Sequence, residues 1–197
     1  MSARTTSGSV VAGQRTKDAI REAALRLFST KGFEQTSLRE VADAVGITKA
    51  SLYYHYASKV DLLLAIIEPI FDDMKRVVDE IEGQPHNERR VREVLEHQLR
   101  TQLRHRAIAA MCVRDTVAII NAIGDIYPDM LDMHRRLCQW LAGADPSAEA
   151  LLRASAALEV LSTVLWSDEL VPDAADDLIE QVLLDSALTV LTGTGKR

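Results

Sequence analysis

A chain of 197 residues, 47% hydrophobic and 5% aromatic, can bury a core in one or two domains, and few aromatics beside abundant Leu and Ala favour packed helices over a β-sandwich. Its net charge of −6 is uneven: residues 1–60 carry nine Lys/Arg against five Asp/Glu and the remainder 14 against 24, so a basic front end joins an acidic body and directs that end towards phosphates. No run approaches the roughly 18 apolar residues of a membrane span, the first residues lack a secretory apolar core, and Cys112 and Cys138 have neither metal nor redox spacing, so a cytoplasmic protein with no membrane partner is expected.

Residues 1–14 are rich in Ser, Thr and Gly and are expected to form a mobile arm. A first helix is expected from near Thr16, with an apolar stripe of Ile20, Ala23, Ala24, Leu25, Leu27 and Phe28, and Gly32 ends it. Ser37 followed by Glu40 is a capping box, opening a short helix through Leu38, Val41, Ala42 and Val45. Gly46 stops that helix, and Thr48 starts a third that holds Ser51 to His55. Ser58 with Asp61 is a second capping box, launching a fourth helix through Leu62, Leu63, Ile66 and Ile67. Pro69 lacks an amide and crowds the carbonyl four residues back, so a kink or break is expected there. After a loop at 83–87, helices are expected near 88–105, 107–121, 126–142, 147–167 and 174–192, with turns at Pro128, 143–146 and 172–173. The fold class is therefore all-α, with about nine helices.

Two short helices joined by Val45-Gly46-Ile47 meet the geometry of a helix-turn-helix. Leu38, Val41, Ala42, Ile47, Leu52 and Tyr56 can pack beneath it. That leaves Thr48, Lys49, Ala50, Ser51, Tyr53, Tyr54 and His55 over the outer surface, although helical geometry alone also permits Tyr53 to pack inward. A major groove accepts one α-helix whose small N-terminal residues approach base edges. Hydroxyl, imidazole and amide donors suit phosphate oxygens.

This stretch resembles the TetR family of bacterial transcriptional repressors. The resemblance is carried by Phe28-x-x-x-Gly32-Phe33 and Thr36-Ser37-Leu38-Arg39-Glu40-Val41-Ala42. It continues through Ala44-Val45-Gly46-Ile47-Thr48-Lys49-Ala50-Ser51-Leu52-Tyr53-Tyr54-His55-Tyr56 and Ser58-Lys59, about 45 residues in matching order. Tyr56 departs from the Phe more usual in the family but keeps the ring. The resemblance implies a three-helix DNA-binding domain at 15–60 and a helical ligand-binding and dimerisation domain at 61–197. It further implies that Arg39, Lys49, Ala50 and Tyr53 face bases, while Ser37, Ser51, Tyr54, His55 and Lys59 position phosphates. Arg39 can equally be a solvated charge.

In the acidic body, the helices at 147–167 and 174–192 are apolar over more than the single stripe a surface helix needs. Either a twofold partner or one larger monomeric core accounts for them, and the resemblance implies a homodimer. It also implies a small-molecule effector site among Phe71, Met74, Leu103, Met111, Thr116, Met133, His134, Leu137, Trp140 and Trp166, although apolar residues at helical spacing also make ordinary core. Arg100, Arg104 and Arg106 either greet an anionic ligand or form a solvated face paired with acids. HExxH, GxSxG, a phosphate loop and the Glu-x-x-His pattern of di-iron bundles are all missing, so no catalytic site, metal or cofactor is expected. The function implied is a repressor that binds a palindromic DNA operator as a homodimer and is released by a small apolar or amphipathic effector. A helical bundle whose head serves protein contacts is the alternative.

Overall fold

The computed structural model describes residues 6–124 and 127–193, and these are all-helical, without a strand. The first helices are α1 (Thr6–Lys31), α2 (Leu38–Val45), α3 (Lys49–His55) and α4 (Lys59–Ile81). They are followed by α5 (Glu88–Arg104), α6 (Arg106–Arg114), α7 (Thr116–Ala122) and α8 (Tyr127–Ala142). After α9 (Ala148–Ser162) comes a 3₁₀ turn at Thr163–Trp166, then α10 (Ser167–Leu170) and α11 (Asp176–Thr192).

Three expectations are corrected. α1 starts at Thr6, well before Thr16. The first proline of the chain is Pro69, so nothing stops helix extension outward from the packed stripe, each added residue gaining one backbone hydrogen bond. Residues 6–14 of the expected arm are therefore helical, and residues 1–5 lie outside the described residues. Pro69 does not break α4, which runs through it. Leu62, Leu63, Ile66 and Ile67 before it and Val77, Val78 and Ile81 after it are all buried, and burial of both halves outweighs one missing hydrogen bond. Finally, the nine expected helices are divided further. The stretch 107–121 separates into α6 and α7 at Asp115, and 147–167 into α9, the 3₁₀ turn and α10. At Asp115 the amide donates to Met111 O and the carbonyl accepts from the Ile119 amide, but the backbone leaves helical geometry at φ −104°, ψ 29°, and the carboxylate accepts from the Phe33 amide at 2.7 Å.

The chain forms two compact units: residues up to Glu68 together with Met111–Ile123, and Pro69–Ala110 together with the residues from Gly124 on. The first, the head, thus extends past residue 60 and takes in α7. Its core joins Ile20, Ala23, Ala24 and Phe28 of α1 to Val41, Leu52, Leu62 and Met111, with the Phe28 and Phe33 rings edge to face at 5.2 Å. In the second unit, the body, α9 packs chiefly on α11, with α5 and α8 beside it. Ala154 and Ala157 of α9 and Ala187 of α11 are fully buried. Small side chains at these positions let the helices approach closely, and Leu95, Leu99, Leu158, Leu161 and Leu184 are among the residues clustered with them.

Candidate nucleic-acid interface

The two helices of the motif are set by caps at each end. Ser37 Oγ accepts from the Glu40 amide at 3.2 Å, and the Ser37 amide donates to the Glu40 carboxylate at 2.9 Å. This is the capping box expected from the spacing. Gly46 closes α2 in the left-handed region at φ 74°, and its neighbour Ile47 donates to Ala42 O at 3.0 Å. A side chain at residue 46 would have open space, so backbone conformation alone demands glycine. Thr48 then caps α3 by accepting from the Ser51 amide at 3.1 Å. Only Ile47 separates the two caps, which makes the turn tight.

α3 buries Leu52 alone, while Tyr56, just beyond it, is buried under the motif. Lys49, Ala50, Tyr53 and Tyr54 fall on the opposite, exposed face. Tyr54 is 87% exposed and Tyr53 44%, so Tyr53 does not pack inward. The Lys49 ammonium lies 5.5 Å from the Tyr53 ring centre, one turn on. Ser51 and His55 are half-buried along the edge of this face, and Tyr54 meets His55 edge to face at 5.4 Å. Thr48, Ser37 and Arg39 are exposed, the last only 3.9 Å from Asp43 through a weak ion pair. Such a face offers one exposed cation, two phenols and a methyl group to whatever docks on it.

The remaining expected contact, Lys59, is turned towards its own head. Its ammonium donates to the carbonyls of Phe33, Glu34 and Thr36 at 2.9, 3.0 and 3.1 Å and lies 4.5 Å from the Phe33 ring centre. All three of its N–H groups therefore have partners. The same α1–α2 turn is held by two residues with no signal in the sequence. Arg114 donates to the carbonyls of Phe28 and Ser29 at the end of α1, and Asp115 accepts from the Phe33 amide. Asp115 also comes within 3.4 Å of where a Cβ on Gly32, at φ 96°, would stand. These partners lie more than eighty residues away, beyond the reach of local patterning. Lys31 pairs with Glu40. That ammonium foremost, followed by the Ser37 amide and hydroxyl, lowers the Glu40 pKa to about 2.

The effector candidates are divided between the units. Met111 and Thr116 belong to the head, where Met111 is core and the exposed Thr116 hydroxyl, at the start of α7, donates to Cys112 O and Val113 O in the last turn of α6. The others belong to the body. Leu137 is in its apolar cluster, and Leu103, Met133 and Trp140 pack against it. His134 Nε2 meets Cys138 Sγ at 3.4 Å, Phe71 and Met74 are half-buried, and Trp166 is exposed. The arginine run is paired throughout: Arg100 with Glu96 and Glu180, Arg104 with Asp73, Arg106 with Asp168 and Asp176. Burial, and then Asp115, pushes the Cys112 thiol up to about 11, which makes it a poor nucleophile. Among the described residues no cluster of metal-ligating side chains occurs, and no helix is long and apolar enough to cross a membrane.

Residues 20–66 match the family model described as bacterial regulatory proteins, tetR family. Over 62 residues the chain is 40% identical to the biofilm operon icaADBC HTH-type negative transcriptional regulator IcaR of Staphylococcus aureus, which covers 32% of this chain and 33% of that protein. It is 46% identical over 55 residues to the HTH-type transcriptional regulator AcrR of Shigella flexneri, covering 28% and 26% of the two chains. The chain thus spans about a third or less of the length of these curated relatives. The crystal structure of Mycobacterium smegmatis AmtR aligns over 90% of this chain and 86% of its own, with a TM-score of 0.72 at 22% identity, a likeness of fold.

Proposed function

We propose that this chain, whose head is that of the TetR family, is a transcriptional repressor that binds a palindromic operator as a homodimer. A small apolar or amphipathic effector in the body releases it, by favouring a spacing of the two heads that no longer fits successive major grooves. The observation that carries this reading is the exposed face of α3, where Lys49, Ala50, Tyr53 and Tyr54 stand opposite the buried Leu52. Lys49 suits a guanine edge, Ala50 and the Tyr53 ring suit a thymine methyl, and the hydroxyls of Thr48, Ser51 and Tyr54 suit phosphates. IcaR, similar to the head, is a negative regulator by name, which supports repression. The pairing of Arg100, Arg104 and Arg106 with carboxylates makes an uncharged effector a better fit than an anionic one. A DNA partner implies a cytoplasmic protein.

Fluorescence-anisotropy titration against the DNA upstream of its own coding sequence, across a salt series, is the test. An inverted repeat should be preferred over unrelated duplex by roughly 10³-fold or more. Lys49→Ala should alter the preferred sequence at a cost of about 1–3 kcal/mol on the native repeat. Equal affinity for every duplex would remove the proposal.

A further inference from the structure

Two cations of the head are bound to its own backbone. Lys59 at the start of α4 and Arg114 at the end of α6 both donate to backbone carbonyls of the segment Phe28–Thr36, and Asp115 accepts its Phe33 amide. We infer that Lys59, Arg114 and Asp115 are positioning residues for DNA reading: a three-residue clamp that fixes the α1–α2 turn, and through it the pitch of the α2–α3 pair, without touching the duplex. The inference rests on the DNA-binding reading above.

The argument begins with unsatisfied backbone. The last carbonyls of a helix and those of a tight turn have no partners within the element. Here Ser29 O receives the Arg114 guanidinium, which also reaches Phe28 O beside the bond that carbonyl accepts from the Gly32 amide, Gly32 O receives the Thr36 hydroxyl at 2.8 Å, and Phe33 O, Glu34 O and Thr36 O receive the Lys59 ammonium. The one amide bound from outside the turn, that of Phe33, goes to Asp115. The turn leads directly into Ser37, the cap of α2, so its geometry sets where α2 begins and hence where α3 lies.

A cation engaged in this way differs measurably from one that neutralises a phosphate. Removing a phosphate contact weakens binding to all sequences alike and reduces the salt slope by about 0.9. Removing a positioning group misplaces the base-reading helix, so binding to the operator falls while non-specific binding holds. Asp115 sharpens the distinction. Deleting a negative charge should tighten binding to any duplex if charge alone matters, whereas loss of the clamp weakens binding to the operator.

The experiment uses the full chain with Lys59→Met and Asp115→Ala, each titrated with the operator and with a scrambled duplex of equal length over a salt series. Each variant should lose about tenfold on the operator, equivalent to about 1.4 kcal/mol, with unchanged scrambled-duplex affinity and unchanged slope. A Lys59→Met slope shortened by about 0.9 with equal losses on both duplexes overturns the inference, as does tighter binding of Asp115→Ala to both. So does unaltered operator affinity in both variants. Hydrogen exchange of the Phe33 amide in the unmodified protein is an independent check, needed if a variant fails to fold. Protection is expected, and free exchange shows that the clamp does not exist. An unmodified protein that binds no duplex specifically, yet protects Phe33, would sink the proposed function and leave the clamp standing.

Discussion

Glu40 accepts from the Lys31 ammonium, the Ser37 amide and the Ser37 hydroxyl, and each of these favours its ionised form. With a pKa near 2 in the folded head and an ordinary value of 4.5, it binds fewer protons folded than unfolded across that interval. Its contribution to stability is therefore complete above about pH 4.5 and lost as the pH falls through about 2. Glu40→Gln keeps the length of the cap and removes the charge. The variant should melt below the parent at pH 7 and converge on it near pH 2, as measured by thermal melts followed by circular dichroism. A gap that stays constant with pH would show that the charge is immaterial. The Ser37–Glu40 half of this arrangement is legible in the sequence because the partners are three residues apart on one turn. The Lys31 half is not, since it depends on how α1 and α2 pack. Asp73 is a stronger case of the same limit. Burial would raise its pKa, yet His105 (3.1 Å), Arg76 (3.0 Å) and Arg104 (2.9 Å) together lower it, and no local pattern announces that grouping.

Three helix starts and one stop in and beside the motif were legible because they use short-range devices: a hydroxyl cap at Ser37, Thr48 and Ser58, and a left-handed glycine at Gly46. Elsewhere packing decides. Proline chemistry argues for a break in α4 at Pro69, and burial on both flanks holds the helix through it. The local cost should still be present. Proline in a helix interior is about 3 kcal/mol worse than alanine, and its stiffening of the unfolded chain returns about 0.4–1 kcal/mol. Pro69→Ala should thus stabilise the protein by about 2 kcal/mol, read as a higher urea midpoint. An unchanged or lower midpoint would mean that the proline ring itself is needed by the packing around it. The division of 107–121 at Asp115 has no local signal at all. Nothing between Met111 and Ile119 interrupts a helical pattern, and the partner of the Asp115 carboxylate, the Phe33 amide, lies in the α1–α2 turn.

For the whole molecule, the basic front, the acidic body and the all-helical class were legible from composition, because they depend on counts and periods. The extent of the head was not, because it depends on Arg114 and Asp115. Assembly turns on what α9 and α11 leave uncovered. Each buries one stripe in the body, yet Leu152 of α9 is 72% exposed, and Leu178 and Val182, one turn apart on α11, are 54% and 52% exposed. Side chains of that size at the surface of two adjacent helices suit a second copy better than water, and a stable twofold interface needs about 1,200–2,000 Å² in total. Charge placed there should be tolerated by the subunit fold and resisted by the pair. Leu152→Glu with Val182→Lys should convert a dimer into a folded monomer by sedimentation velocity. Because linked half-site contacts gain about 10²–10⁴ in avidity, the monomer should also lose roughly that factor in operator affinity. If the unaltered chain sediments as one subunit at micromolar concentration, these faces are not an interface, and the twofold reading of the operator fails with them.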